Sequence, residues 1–326
     1  MTTLLTGGNG WVPSHILRRL ARQGEHVISY DLMPPDDMLS DLLGELSGRV
    51  TFVEGDITDL ERLRAVAHEH AVERIVHAAV ITPRLQRERA EPARVIEVNL
   101  LGTVNVLEVA RELPSFARMV YISSIAAWGG RADAAGPSEA TPSAATTLYG
   151  ITKHTSERFC QRYAELYGLD IVSLRPVSVY GPLERVTPGY EGATELREML
   201  RLVAAGQPVL VNSLAGPFHD WTYVEDVAEA VERAWATPRL PQAVYTITQG
   251  RSYAIGEMLD AIQRAWPGME YQVVPREQAN FIVSGDADYP RPGNARMRAD
   301  FGWVPSTPLE DGMREYVAWI RRYGPQ

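Results

Sequence analysis

Short apolar runs alternate with amphipathic stretches through the first half of the chain. Residues 3–6, 27–30, 50–53, 75–78, 119–122 and 171–174 are strand-length runs whose neighbouring positions are both apolar. Such runs predict strands covered on both faces. The stretches 14–23, 60–70, 93–113 and 149–167 lie between them and have helical character. Strict alternation of strand and helix predicts βαβ units and a parallel sheet. After Arg175-Pro176 the texture changes, with Gly- and Pro-rich loops at 180–192, 205–208 and 215–219 separating helices. Three apolar stripes at helical spacing follow: Leu196, Met199, Leu200, Val203; Ile255, Met258, Leu259, Ile262, Trp266; and Leu309, Met313, Val317, Ile320. The expected fold class is α/β, a doubly wound parallel sheet with a smaller C-terminal mixed α/β lobe. The sheet domain is expected over 1–176, with 209–247 returning to it, and the smaller lobe over 177–208 and 248–326.

Composition narrows the class. The chain has 326 residues, 45% apolar and 22% charged, which excludes disorder, coiled coil and collagen. With 41 acidic against 32 basic side chains the formal charge is −9, a poor match to the clustered cations that bind nucleic acid. The one cysteine, Cys160, allows no internal disulfide. The opening Met1-Thr2-Thr3-Leu4-Leu5 lacks a basic leader region, and no apolar run approaches the roughly 20 residues of a membrane span. A cytoplasmic protein without a membrane partner is the expectation. His68 and His70 point to different helix faces and the other histidines lack ligand spacing, so no metal is expected. Among the 32 basic residues only Lys153 is a lysine. A chain that uses arginine everywhere else and keeps one ammonium invites a chemical explanation.

Thr6-Gly7-Gly8-Asn9-Gly10-Trp11-Val12-Pro13 follows the first strand and opens the first helix. Glycines there allow a tight turn and close backbone approach, while the helix start offers free N–H groups to a pyrophosphate. Asp31 closes the second strand, placed to accept hydrogen bonds from an adenosine ribose, and no arginine follows in Leu32-Met33-Pro34-Pro35 to receive a 2′-phosphate. NAD is the cofactor this favours. Asp56 ends the third strand and either meets the adenine edge or caps the next helix.

Tyr149-Gly150-Ile151-Thr152-Lys153 puts a phenol and the single ammonium four apart, on one helix face. A neighbouring cation is expected to lower the phenol pKa toward working pH, as proton transfer requires. Ser123-Ser124 ends the fifth strand, where parallel sheets place their active sites.

With these motifs in order, the chain resembles the extended short-chain dehydrogenase/reductases, also called the NAD-dependent epimerase/dehydratase family, whose sheet domain is of the Rossmann type. The resemblance extends through Gly55-Asp56-Ile57, His77-Ala78-Ala79, Val98-Asn99 with Gly102-Thr103, Leu174-Arg175-Pro176, Tyr180-Gly181-Pro182, Asp220 through Asp226-Val227-Ala228, and Arg291-Pro292-Gly293. It implies that Tyr149 is the general acid/base, that Lys153 binds the nicotinamide ribose and tunes Tyr149, and that Ser124 orients the substrate. By the same resemblance Gly7, Gly10, Trp11, Val12, Asp31, Asp56, Ile57, Ala78, Ala79, Asn99, Lys153 and Pro176 form the cofactor site. Ser123, Ser124, Ser178, His219 and Arg291 would face a sugar-type substrate. It further implies a homodimer formed through the helices at 93–113 and 149–167.

Several positions depart from the family pattern. Pro13 replaces the loop's third glycine, a substitution the first turn of a helix tolerates. Ile125-Ala126 stand where the family's 4,6-dehydratases carry Asp-Glu, so the acid that eliminates water is missing. Ser178, His219 and Asn294 replace the Asn, Arg and Asp usual in members that bind a nucleoside diphosphate, while Arg291 matches a diphosphate-binding arginine. Trp128, Trp221 and Tyr223 could stack on a sugar ring or fill the core. A sugar or nucleotide-sugar epimerase with transient hydride transfer is the leading expectation. A net NAD-dependent dehydrogenase or reductase of a free sugar, sugar acid or other small hydroxy or keto substrate is the alternative. A non-catalytic dinucleotide sensor is the minor one, since such proteins typically lack the Tyr/Lys pair.

Overall fold

The computed structural model describes every residue except 130–136, 193, 216–218, 284–291 and 326. Its strands are β1 (Thr2–Thr6), β2 (His26–Asp31), β3 (Val50–Glu54), β4 (Arg74–His77), β5 (Arg118–Ile122), β6 (Ile171–Pro176), β7 (Ser178–Tyr180), β8 (Val209–Val211), β9 (Trp221–Tyr223), β10 (Val244–Ile247) and β11 (Tyr271–Val273). Seven of them form one parallel sheet in the order β3-β2-β1-β4-β5-β6-β10. All six expected strands are present, each within two residues of its expected ends. Successive strand residues point to opposite faces, and the two cores divide accordingly. Leu5, Val27, Val76, Val120 and Val172 pack with the helices Trp11–Arg22 and Val224–Ala236. Their neighbours Leu4, Ile28, Ile75, Met119 and Ile171 pack with Leu60–Glu69, Gly102–Glu112 and Cys160 of Leu148–Tyr167.

The strand order reverses between β1 and β4, so a crevice opens at the carboxyl ends of those strands, where doubly wound sheets bind ligands. Thr6, Asp31, His77, Ile122 and Pro176 all end strands on that rim. The smaller lobe holds the pairs β8·β11 and β7·β9. Its core takes in the stripes of Glu195–Ala204, Ile255–Ala265 and Leu309–Tyr323 together with Tyr180, Trp221 and Tyr223. Trp221 and Tyr223 therefore serve as core, as does the buried Trp128. Of the segment 209–247, β10 lies in the main sheet and Val224–Ala236 on its face, whereas β8 pairs with β11.

Some helices differ from expectation. The helix foreseen over 93–113 is broken into Pro92–Ile96, a π-helical turn Glu97–Leu101 and Gly102–Glu112. Gly102 sits where a Cβ would come within 2.4 Å of Ile57, so the chain crowds the neighbouring loop there. The short helices Asp37–Leu43 and Leu85–Ala90 have no counterpart in the apolar pattern.

Candidate active site

The cofactor end is built from the β1 loop. Gly7 has φ +70°, and a Cβ on it would lie 2.7 Å from the Ala79 Cα, so the loop rests directly on the end of β4. Its N–H donates to Tyr30 O and the Gly10 N–H returns to Gly7 O at 3.1 Å. The helix Trp11–Arg22 starts without a side-chain cap, leaving its first N–H groups directed at the crevice. Pro13 lies in that first turn, where no N–H is needed. Both Asp31 oxygens accept backbone N–H groups, Oδ2 from Asn9 at 3.0 Å and Oδ1 from Met33 at 2.9 Å. Burial pushes its carboxyl up, against those bonds and the charge of Arg185. A glycine-rich turn, a helix start and a strand-end carboxylate fit a dinucleotide.

Asp56 does not cap the next helix; Asp59 does, accepting the Arg62 N–H. Asp56 accepts the Thr58 N–H at 2.9 Å and pairs with Arg94 at 2.5 Å. Burial would raise it, but those contacts win and hold it below the usual range. Asn99, buried in the π turn, exchanges two bonds with Ile81 and donates to Thr152 Oγ1 at 3.1 Å. Its amide thus ties the loop after β4 to the helix Leu148–Tyr167. Pro176 ends β6 in register with Ile247 of β10.

At the reacting end, Tyr149 and Lys153 share one face of Leu148–Tyr167. Lys153 is 2% exposed. Its Nζ donates to Ile122 O at 2.6 Å and lies 4.8 Å from the Tyr121 ring centroid and 5.9 Å from that of Tyr149. Burial lowers its pKa to about 7 against the opposing pull of Glu157. Contrary to the sequence expectation, Tyr149 is raised rather than lowered, because burial of the phenol dominates. What opposes burial is a pair of hydroxyls, Ser124 and Thr82. His77, deeper under the rim, is held neutral by burial and by Lys153, with a pKa of about 3; it bridges Thr6 and Thr103.

Ser123 requires a correction. Neighbouring strand-end residues point opposite ways, and the Ser123 hydroxyl donates to Glu157 Oε1 at 2.5 Å, away from Ser124. Arg175 completes that buried group with bonds of 2.7 and 2.6 Å to Glu157. Ser123 is therefore a structural partner, while Ser124 caps the short turn Ile125–Ala127 and faces Tyr149. Of the residues expected to face a substrate, Ser178 pairs in register with Trp221. His219 stacks on Trp221 at 5.6 Å and reaches Glu195 at 3.1 Å. Burial lowers the His219 pKa to about 4, so it carries no positive charge at neutral pH. Asn294 turns its amide to Gln249 O at 3.1 Å. Arg291 lies outside the described residues.

Sequence reading missed four contributors. Thr82 stands against Tyr149 from the loop after β4. Tyr190 forms a backbone bridge with Thr82 and lies near enough to Tyr149 for their charges to interact. Arg185, 8% exposed, donates to Asn9 O at 3.0 Å and pairs with Asp36 at 3.0 Å. Glu184 is buried with Tyr316 and Thr194. All but Thr82 sit in the Gly- and Pro-rich loop after β7, where no periodic pattern marks them; Thr82 comes three residues after Ala79 of the His77-Ala78-Ala79 motif.

Comparison with known proteins agrees with this geometry. The model of the NAD dependent epimerase/dehydratase family matches residues 3–256. UDP-glucose 4-epimerase of Mycolicibacterium smegmatis is 28% identical over 324 residues, covering 98% of this chain and 99% of that protein. UDP-glucuronate 4-epimerase 4 of Arabidopsis thaliana is 25% identical over 344 residues, covering 99% of this chain and 76% of the relative. Among solved structures, UDP-glucose 4-epimerase of Thermus thermophilus in complex with NAD superposes with a TM-score of 0.79 at 26% identity, covering 99% of this chain and 100% of that one. The chain therefore belongs to the NAD dependent epimerase/dehydratase family and is an NAD-dependent enzyme of the extended short-chain dehydrogenase/reductase type.

Proposed function

We propose that this enzyme is an epimerase of UDP-sugars that inverts one ring carbon through a transient ketone. The observation that carries the reading is the convergence of Tyr149, Ser124 and Lys153 at the end of β5, on the same sheet rim that carries the glycine loop. Bound NAD supplies the hydride acceptor and, once the ketone has presented its other face, the hydride donor. Tyr149 takes the proton of the reacting hydroxyl and later returns it, while Ser124 fixes that oxygen. Lys153 holds the nicotinamide ribose, a task suited to a compact ammonium on a flexible stem. Gly7, Gly10 and the N–H groups of Trp11 and Val12 receive the pyrophosphate, and Asp31 the adenosine ribose. Ile125 and Ala126 supply no acid, which speaks against loss of water.

In this reading, 1–176 with the elements that return to the sheet hold the cofactor, and the smaller lobe holds the sugar nucleotide. Exposed apolar side chains at Ile96, Leu101, Ile151 and Leu166 support a homodimer through the helices that carry them. Among the described residues no helix is long and apolar enough to cross a membrane, which is compatible with a cytoplasmic enzyme. Incubation with UDP-glucose and UDP-glucuronate, followed by NMR, tests the proposal. Formation of the epimer without accumulation of NADH is expected; stoichiometric NADH would instead mark a net dehydrogenase.

A further inference from the structure

We propose that Thr82 is a second catalytic hydroxyl, acting with Ser124 on the oxygen of Tyr149, and that the segment 187–191 of the smaller lobe holds it in place. This rests on the reading of Tyr149 as the proton carrier. Ser124 arrives from the end of β5 and Thr82 from the loop after β4, so two neighbouring strands each deliver one hydroxyl to the same phenol.

Thr82 is fixed from both directions. Its N–H donates to Gly189 O at 2.7 Å, and its carbonyl accepts the Glu191 N–H at 3.5 Å. Ile81, the preceding residue, is clamped through both its N–H and its carbonyl by Asn99. The 187–191 segment is itself anchored: Arg87 Nη1 reaches Glu191 at 3.1 Å and Pro188 O, and the Arg84 N–H donates to Glu191 at 3.1 Å. Glu88, on the same short helix, accepts the Leu148 N–H at 2.8 Å, at the first turn of the helix that carries Tyr149. Contacts thus run in a closed circuit from Tyr149 through Leu148, Glu88, Arg87 and Glu191 back to Thr82.

Lys153 Nζ is held by its bond to Ile122 O over the rings of Tyr121 and Tyr149, so hydroxyl donors at the phenolate oxygen act beside its charge. Once Tyr149 has lost its proton, the Ser124 and Thr82 O–H groups donate to the phenolate, and each bond favours the ionised form. Neither hydroxyl loses its own proton. The other titratable groups facing Tyr149 are Lys153 on its helix, Tyr121 on β5 and Tyr190 on the segment, with Glu184 bonded to Tyr190 and Glu88 at the helix start.

The test uses the NAD-loaded enzyme with Thr82→Val and Thr82→Ser, each also combined with Tyr149→Phe. Tyr149 ionisation is read as ultraviolet tyrosinate absorbance by difference from the Tyr149→Phe counterpart. Thr82→Val should move the midpoint up by about one pH unit and Thr82→Ser should leave it in place. With the UDP-sugar that the enzyme converts, Thr82→Val should lower kcat by roughly 10- to 100-fold with KM little changed. Thr82→Ala, which makes no demand on space, repeats the measurement should valine disturb folding. An unmoved midpoint in the valine or alanine variant, or an equal shift in the serine variant, overturns the proposal. Turnover that survives Tyr149→Phe alone would instead defeat the reading of Tyr149 itself.

Discussion

Lys153 owes its character to what surrounds it. On a solvent-facing helix the Tyr149/Lys153 pair would be an ordinary cation beside a phenol; buried under β5, the ammonium falls to about 7 while the phenol rises. The spacing was legible because it is local, whereas the burial was not, since Tyr121 and Ile122 come from β5, distant in the chain. Between pH 7 and the ordinary lysine value of 10.5, the folded state binds fewer protons at Lys153 than the unfolded state. Its contribution to stability therefore rises with pH across that window and is least favourable below pH 7. Urea unfolding should show the native protein gaining on Lys153→Met as pH rises from 7 to 10; a pH-independent gap would contradict the depressed ammonium. Tyr149→Phe should cut turnover by about 10²-fold or more, with NAD still bound on assay of the purified variant. Asp31→Ala should lower the NAD-over-NADP affinity ratio roughly tenfold, the worth of a charge-assisted hydrogen bond. An unchanged ratio would remove Asp31 from cofactor choice. Ser123 and Ser124 were both read as substrate-facing because a dipeptide does not disclose which residue a strand end turns inward.

Element by element, the main sheet was easy to read because its strands are apolar on both faces and its longer helices carry regular stripes. Elements without such periods escaped. Leu85–Ala90 is six residues of Leu-Gln-Arg-Glu-Arg-Ala, and it joins the 187–191 segment to the helix Leu148–Tyr167. The π turn at Glu97–Leu101 is invisible to a 3.6-residue period, yet it places Asn99 on Ile81. The glycine loop was legible, and its geometry gives a sharp expectation: Gly7→Ala forces a side chain into φ +70° and against Ala79. Loss of NAD binding by calorimetry and destabilisation of roughly 1–3 kcal/mol should follow. The buried Glu157–Arg175 pair with Ser123 braces the helix Leu148–Tyr167 against β5 and β6. Glu157→Gln leaves Arg175 buried without its counter-charge and should cost about 3 kcal/mol in urea unfolding. A loss below half that would mean the pair is more solvated than its burial indicates.

For the whole molecule, strand order decides where chemistry can occur. The reversal between β1 and β4 gathers the glycine loop, Asp31, Ala78-Ala79, Ser124 and Pro176 on one rim, and the smaller lobe contributes Ser178, His219 and Tyr190 from beyond β6. The family and its cofactor were legible because their motifs sit at strand ends in a fixed order. The residues proposed for the sugar side were not, because the loops of that lobe take positions that depend on packing between distant segments. The neutral, buried His219 shows the consequence: at a position where a family member would offer an arginine, this chain offers no charge. The most direct measurement uses UDP-glucose or UDP-glucuronate deuterated at C4, the carbon named for the relatives, incubated with NAD-loaded enzyme. The account predicts a C4 epimer that keeps its deuterium, with no net NADH. Release of the label into NADH in step with consumed sugar, or an epimer that has lost its deuterium, would contradict it.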